Sequence, residues 1–224
     1  MTAGEQAPFP SPEVRDFEYA TMRKVSRRLI PFLFVLYVTA YLDRINVGFA
    51  QLQMKGALGF SDSVYGLGTG IFFVGYFLFE VPSNLILART GARVWIARIM
   101  ITWGLISSAM AIVRTPASFY ALRFLLGVAE AGFFPGIIYY LSRWFHAAER
   151  ASAISRFMTA TAVAGIIGGP LSGALFKLDG VAGLAGWQWI FVVEGVPSLM
   201  LGMVVLFFLT DRPEEAKWLS PAER

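Results

Sequence analysis

The sequence contains no cysteine and a single histidine, His146. Without cysteine there is no disulfide framework, thiolate nucleophile or cysteine–zinc site. One histidine cannot by itself build a histidine-rich metal cluster. No grouping of serine and histidine indicates a catalytic nucleophile either, so an intramembrane enzyme is a weak hypothesis. The sequence therefore predicts a protein that is not an enzyme and that has no metal site and no cofactor.

Charged residues are also scarce, at 15% of the chain. A soluble domain normally carries about 25% charge. Hydrophobic residues make up 56% of the chain, and the mean hydropathy is +0.60. Because the apolar residues fall in long blocks rather than in short amphipathic stretches, these values exclude a large soluble core and predict a chain embedded in a lipid bilayer.

Six apolar blocks are each long enough to cross a bilayer, which takes about 20 residues in a helix. The connections between them are short and contain glycine or proline. The sequence therefore predicts an all-α, polytopic membrane protein with six transmembrane helices. The predicted spans are 29–51, 64–87, 95–113, 118–141, 152–177 and 188–210.

The flanking segments divide the chain into three parts. Residues 1–28 are predicted to form a cytoplasmic amphipathic segment, with Ser11 as N-cap and proline at the first helical position. Residues 29–210 are the six-helix bundle. Residues 211–224 are the predicted start of a cytoplasmic central loop. Since Ser220-Pro221 is another helix start signal and the chain ends four residues later, the sequence is expected to be truncated.

The distribution of lysine and arginine predicts the orientation in the membrane. If the amino terminus is cytoplasmic, fourteen of these residues lie on the inner side and three on the outer side, with Arg44 and Arg123 inside spans. Six crossings return the carboxy terminus to the cytoplasm. The net charge of +4 is therefore explained by topology and by contact with lipid headgroups, and it does not indicate nucleic-acid binding.

Two pairs of ionisable residues lie within the apolar spans, where each costs about 2.5–3.5 kcal/mol on insertion scales. Asp43 and Arg44 are adjacent in the first span, and because neighbouring helical positions point about 100° apart they cannot neutralise each other side by side. Arg44 either extends to the outer interface or faces a polar cavity. Arg123 and Glu130 share one face of the fourth span, about 10 Å apart along its axis.

The functional interpretation of these residues is a central cavity in which Arg44 and Arg123 bind carboxylates. Arginine suits that role because its planar guanidinium binds a carboxylate bidentately and keeps its proton. Glu130 can gain and lose a proton, so it is the candidate proton carrier. The alternative is a structural charge network that fixes the fourth helix. Tyr76 is equally consistent with a substrate contact and with ordinary packing.

Other features have simpler interpretations. For Glu80 and Glu194, which lie within or near apolar blocks, the favoured interpretation is structural pairing or solvation at helix ends. Small residues at intervals of four, as in 66–70, 132–136 and 165–173, predict faces where helices approach closely. A shift of 88 residues places the first span on the fourth, which fits the three-plus-three inverted repeats of transporter halves.

Several segments resemble the anion:cation symporter family of the major facilitator superfamily. Residues 41–48 (YLDRINVG) are similar to its first-helix motif, and residues 123–136 (RFLLGVAEAGFFPG) to its fourth-helix signature. Residues 187–195 and 211–219 are similar to its bacterial tartrate, phthalate and sugar-acid permeases. The resemblance runs from about residue 29 to the end of the chain.

This resemblance implies an alternating-access carrier, coupled to protons, that moves carboxylate-bearing solutes across a bacterial inner membrane. It implies substrate contacts at Arg44, Tyr76 and Arg123. It also implies that Asp43 and Glu130 take part in proton coupling.

The superfamily resemblance further implies a cytoplasmic gate loop containing Arg89, Gly91 and Arg93. In that loop Asn84 and Ala88 occupy positions where glycine and aspartate are usual. Members of the family have twelve spans, so this chain is expected to be the amino-terminal half, with a carboxy-terminal half as its partner. The alternative function is a non-transporting scaffold or channel-like subunit built on the same bundle.

Overall fold

The computed structural model describes residues 11–224, and throughout them the regular structure is helical. Within this range six helical segments are long and apolar enough to cross a membrane, which confirms the predicted all-α class and span number. The eight α-helices of residues 11–224 are α1 Pro12–Leu58, α2 Asp62–Thr90, α3 Ala92–Ala109, α4 Pro116–Glu130, α5 Phe133–Trp144, α6 Ala147–Met158, α7 Ala160–Phe176 and α8 Gly186–Phe208.

Helix α1 joins the predicted amphipathic segment and the first span in one uninterrupted helix of 47 residues. It begins where expected, because the Ser11 hydroxyl accepts a hydrogen bond from the backbone N–H of Val14 and Pro12 has no N–H to satisfy. It ends at Gly59, whose φ of 65° closes the helix in the left-handed conformation. The predicted boundary at residue 28 therefore corresponds to no break in the backbone.

The fourth and fifth spans are each divided in two. The fourth span breaks between α4 and α5, where Ala131 has an extended backbone and Gly132 has a φ of 86°. The backbone carbonyl of Ala131 accepts a hydrogen bond of 2.6 Å from the Ser83 hydroxyl on α2. The break therefore lies directly after Glu130, and the carbonyl group that it frees is hydrogen-bonded by the neighbouring helix α2.

The helices pack as a bundle in which α3 lies against α8, α2 against α4, and α1 against both α7 and α8. One apolar core contains buried residues of α1, α3 and α5, such as Leu33, Met100 and Tyr140. A second core lies around Met54, Phe119 and Trp187. The inner faces of the spans meet in these cores, and many large apolar side chains on α2 and α7 remain exposed.

The glycine-rich faces only partly match the predicted close contacts. At Gly132 and Gly136 an added Cβ atom would collide with Ser83 and Leu87, as expected. At 66, 70, 165 and 173 an added Cβ would meet no atom within 4 Å, so those glycines are not where helices of the described chain approach closely. Other tight contacts lie between α2 and α4, at Gly68, Gly75 and Gly127, and between α3 and α8, at Gly104 and Gly195.

Residues 211–224 pack on one end of the bundle, which we call the basic end because Arg28, Arg89, Arg93, Arg143, Arg150 and Arg212 all lie there. Trp218 stacks on Trp144, with 5.6 Å between ring centroids, and its ring lies 4.9 Å from the Arg28 guanidinium. Lys24 donates a 2.8 Å hydrogen bond to Glu223. That contact, with a bond from the Ser220 backbone N–H, lowers the pKa of Glu223 to about 2. This segment is therefore part of the folded bundle.

Candidate functional site

The centre of the site is an ion pair between Arg44 on α1 and Glu130 at the end of α4. The Arg44 guanidinium donates to the Glu130 carboxylate. Glu130 is 3% exposed, whereas the Arg44 side chain keeps 32% of its surface accessible. The pair is thus closed on the glutamate side and open on the arginine side, and the arginine does not extend to the outer interface.

Arg123 is buried beside this pair, with only 3% of its surface exposed. Its Nε–H donates a 3.2 Å hydrogen bond to the backbone carbonyl of Gly68 on α2. Its guanidinium also lies 4.6 Å from the centre of the Phe72 ring, close enough for a cation–π contact. The salt bridges among residues 11–224 do not include Arg123. Its charge is therefore balanced there by the dipole of the Gly68 carbonyl and by the Phe72 ring rather than by a bonded carboxylate.

Glycine residues explain how Arg123 reaches α2. A Cβ atom at Gly127, one turn after Arg123, would overlap the backbone carbonyl of Phe72. A Cβ at Gly75 would lie 2.5 Å from the carbonyl of Phe124. Since neither position has a side chain, α2 and α4 approach closely along this face and hold the Arg123 side chain against α2.

Tyr76 lies on the same face of α2 as Phe72, one turn further along. The Arg44 guanidinium lies 5.3 Å from the centre of the Tyr76 ring, and Tyr76 is half-buried. The structure therefore brings Tyr76, Arg44, Arg123 and Glu130 together around Phe72. We call these five residues the Phe72 group. Phe72 itself was not predicted from the sequence, since an aromatic residue in a span is ordinarily part of the core.

Asp43 points away from this group, into the interior between α1 and α3. It is 1% exposed and accepts hydrogen bonds from the Trp103 indole N–H and the Ser107 hydroxyl, both on α3. The Asn46 amide adds a third donor at 2.7 Å. Asp43 and Arg44 thus face different helices, as their adjacency predicts, and only Arg44 belongs to the Phe72 group.

The three donors to Asp43 were not predicted from the sequence. Only Asn46 could have been, because it follows Asp43 by three residues and shares its helix face. Trp103 and Ser107 gave no such signal, since their role depends on α3 lying beside α1.

The predicted gate-loop residues lie at the basic end. Gly91 separates α2 from α3 with a φ of 94°, and the backbone N–H of Arg93 donates a 2.8 Å hydrogen bond to the Asp211 carboxylate. A Cβ at Gly91 would lie 2.8 Å from that carboxylate. Arg89 lines a cavity of about 220 Å³ together with Asp211. Asp211 therefore supplies an acidic group beside this loop, where Ala88 supplies none.

Chemically, the arrangement provides two guanidinium groups, one carboxylate that can be neutralised, and an aromatic surface. No cluster of histidine, aspartate and glutamate that could hold a metal ion occurs among residues 11–224. Such a set of residues can bind an anion and exchange a proton.

Comparison with known proteins places the chain in a family. Residues 33–224 match the model of the Major Facilitator Superfamily. The chain is 61% identical over 209 residues to a putative tartrate transporter of Agrobacterium vitis. The aligned region covers 93% of this chain and 48% of that protein. It is 51% identical over 205 residues to a quinolone resistance transporter of Acinetobacter baumannii, covering 92% of this chain and 47% of that protein.

The fold matches solved structures of the same kind. A bacterial homologue of the human lysosomal transporter Spinster, in an inward-facing and unoccupied conformation, superposes with a TM-score of 0.76 at 20% identity, covering 96% of this chain and 48% of that one. The chain spans about half the length of the relatives it matches. It is a multi-pass membrane protein, not an enzyme, and it belongs to the Major Facilitator Superfamily of transporters.

Proposed function

We propose that this chain supplies the amino-terminal bundle of a proton-coupled carrier for organic anions that works by alternating access. The observation that carries the proposal is the Arg44–Glu130 pair, open on the arginine side, with the buried charge of Arg123 beside it. A cationic group with no bonded carboxylate of its own is an unfavourable arrangement in a membrane unless an anion completes it.

The pair gives a route from proton binding to anion binding. When Glu130 is ionised, it occupies the Arg44 guanidinium. When Glu130 takes a proton, it becomes a weaker partner, and Arg44 can bind a carboxylate of the solute instead. Tyr76, against Arg44, and Arg123 complete the contacts to the anion, and Asp43 takes part in proton coupling.

Coupling to protons suits the energetics of anion uptake. An anion entering a cell with a negative interior moves against about 2.3 kcal/mol per charge per 100 mV, and proton entry offsets that cost. The excess of lysine and arginine at one end supports a bacterial inner-membrane orientation with both termini in the cytoplasm. In that orientation the loop of Arg89, Gly91 and Arg93 is the cytoplasmic gate.

The names of two relatives support carboxylate solutes to different degrees. Tartrate is a small dicarboxylate that two arginine residues could bind at both ends. The relative named for quinolone resistance indicates that related bundles also act on larger aromatic compounds. We therefore propose hydroxy-dicarboxylates first, with aromatic or sugar acids as wider members of the class.

A non-transporting scaffold built on the same bundle is the second candidate, and the direct ion pair between Arg44 and Glu130 favours it. A scaffold, however, gives no reason to keep Arg123 buried without a carboxylate partner. The two functions differ in one measurable property, which is whether the bundle binds a carboxylate.

The test is tartrate binding and counterflow exchange by a complete carrier that contains this bundle. We expect Arg123→Ala to abolish both, and Arg123→Lys to weaken binding by about 10- to 150-fold, the equivalent of one charged hydrogen bond. Arg114→Ala, which changes an exposed arginine outside the spans, is the matched control and should bind normally. Normal tartrate binding by Arg123→Ala, or none by the unmodified carrier, contradicts the proposal.

A further inference from the structure

A third buried carboxyl group, after Asp43 and Glu130, is that of Glu194 on α8, which lies outside the Phe72 group. Glu194 is 4% exposed, so of the two interpretations that the sequence allowed, structural pairing and solvation at a helix end, the second does not hold. The side chain of Asn46 on α1, which donates to Asp43, also lies beside Glu194. Asp43, Asn46 and Glu194 thus form one buried polar cluster between α1, α3 and α8.

The two carboxyl groups of this cluster have very different surroundings. Asp43 accepts hydrogen bonds from Trp103, Ser107 and Asn46. The Oε1 atom of Glu194 is buried and meets no hydrogen-bond donor within the described chain. Ser198, one turn along the same face of α8, likewise has a buried hydroxyl without a partner.

The charged groups on the elements packed against α8 bring no cation into contact with Glu194. These elements are α3, α1, α7 and the 3-10 turn Met110–Ile112, and the last two contain no ionisable residue. On α3, Arg93 and Arg98 lie about 21 Å and about 14 Å along the axis from Ser107. On α1, Arg44 is bonded to Glu130, and on α4, which packs against α3, Arg123 is bonded to the backbone carbonyl of Gly68.

Two carboxyl groups that share a low-dielectric interior, with no cation bonded to either, cannot both be ionised. The group that receives three donors is the one suited to carry the negative charge. The other group, with an oxygen that no donor reaches, is suited to be the neutral acid. Both oxygens of Asp43 are already bonded to these donors, and no group of three or more acidic or histidine side chains that could hold a metal ion occurs among residues 11–224. The cation that fits this cluster is therefore a proton.

We propose that Glu194 is a buried proton-binding site, in which the acid is held neutral next to the ionised Asp43. It is a separate site from Glu130, because it lies on the α3 side of α1 and has no contact with Arg44 in the structure. The part that this proton plays in transport rests on the function proposed above, whereas its presence in the folded chain does not.

The test is infrared spectroscopy of the purified 224-residue chain in lipid nanodiscs at neutral pH, since a protonated carboxyl absorbs apart from a carboxylate. We expect a protonated-carboxyl band that Glu194→Gln removes. Glu215→Gln, an exposed control, should keep it. Retention of the band in Glu194→Gln, or its loss in Glu215→Gln, overturns the assignment.

Two further arms keep the test independent of how the variants fold. In the unmodified chain, ¹³C labelling of glutamate should shift the band, and ¹³C labelling of aspartate should leave it in place; the reverse result overturns the proposal. Sodium or lithium chloride should not change the band, and its loss on addition of either salt would show a metal-cation site instead. Because none of these measurements involves transport, their failure leaves the proposed carrier function standing, and a failure of transport leaves the proton site standing.

Discussion

At the scale of single residues, Arg44 and Arg123 are both held inside the bundle, but by different kinds of partner. Arg44 has a carboxylate, whereas Arg123 has a backbone carbonyl and an aromatic ring. The charge of Glu130 is engaged by Arg44, so the Phe72 group as a whole keeps a positive charge. A site of that kind favours an anionic solute and disfavours a cationic one.

Asp43 shows what a sequence can and cannot specify about a buried charge. Its adjacency to Arg44 is enough to predict that the two side chains serve different helices. Its donors could not be predicted, because Trp103 and Ser107 become partners only when α3 packs beside α1. The burial of Glu194 in a cluster with Asp43 could not be predicted for the same reason, because nothing in the sequence of α8 shows that α1 packs beside it.

The hydrogen bond from Trp103 to Asp43 can be tested by Trp103→Phe, which keeps an aromatic ring and removes the donor. We expect a loss of about 1.5–3 kcal/mol of stability, the range for hydrogen bonds to charged groups. Trp95→Phe is the control, because Trp95 donates to the neutral hydroxyl of Ser83 and should cost about 0.5–1.5 kcal/mol. The measurement is unfolding of the two variants in the same detergent. An equal or larger loss in Trp95→Phe would show that Asp43 carries no charge.

At the scale of elements, the spans were predictable and their interruptions were not. A continuous fourth span was expected over 118–141, but the structure divides it at Ala131 and Gly132. The divided form is stable because Ser83 on α2 satisfies the freed carbonyl. Hydropathy reports only that a segment is apolar. A break whose free carbonyl is hydrogen-bonded by another helix therefore cannot be predicted from hydropathy.

The contact between α2 and α4 depends on Gly127, and Gly127→Ala tests it. A methyl group there would overlap the Phe72 carbonyl, so the helices must separate, at a cost of about 1–3 kcal/mol. Gly165→Ala on α7 is the matched control, since its Cβ meets nothing within 4 Å, and it should be neutral or slightly stabilising.

The readouts for this pair are thermal unfolding in detergent and, in a complete carrier, tartrate binding. Separation of α2 from α4 also moves Arg123 from Gly68, so Gly127→Ala should weaken binding as well as stability. Equal stability of the Gly127→Ala and Gly165→Ala chains would contradict the close packing described for this interface.

At the scale of the whole molecule, the span count and the all-α class followed from apolar length alone. The sequence also indicated a partner half, because its motifs belong to proteins with twice as many spans. The packing of residues 211–224 onto the basic end was not anticipated. It depends on Asp211 meeting the start of α3 and on Trp218 meeting Trp144, which are contacts between distant parts of the chain.

We predict that residues 1–224 alone insert into membranes but do not accumulate solute. Alternating access in such transporters requires one repeat or bundle to move against another, and this chain forms one wall of the site. The measurement is uptake of labelled tartrate and other carboxylates into proteoliposomes under an inward proton gradient. Addition of a separately produced second half should restore uptake. Concentrative uptake by the 224-residue chain alone would show that it forms a complete carrier, for example as a dimer.

The central claim is that the Glu130 proton controls access of the anion to Arg44, and Glu130→Gln tests it most directly. Glutamine keeps the shape of the side chain but cannot take up or release a proton. In a complete carrier, we expect this variant to retain counterflow exchange of tartrate and to lose accumulation driven by a pH gradient. Glu215→Gln, an exposed change at the basic end, should keep both activities. Gradient-driven accumulation by Glu130→Gln at the level of the unmodified carrier would contradict the account.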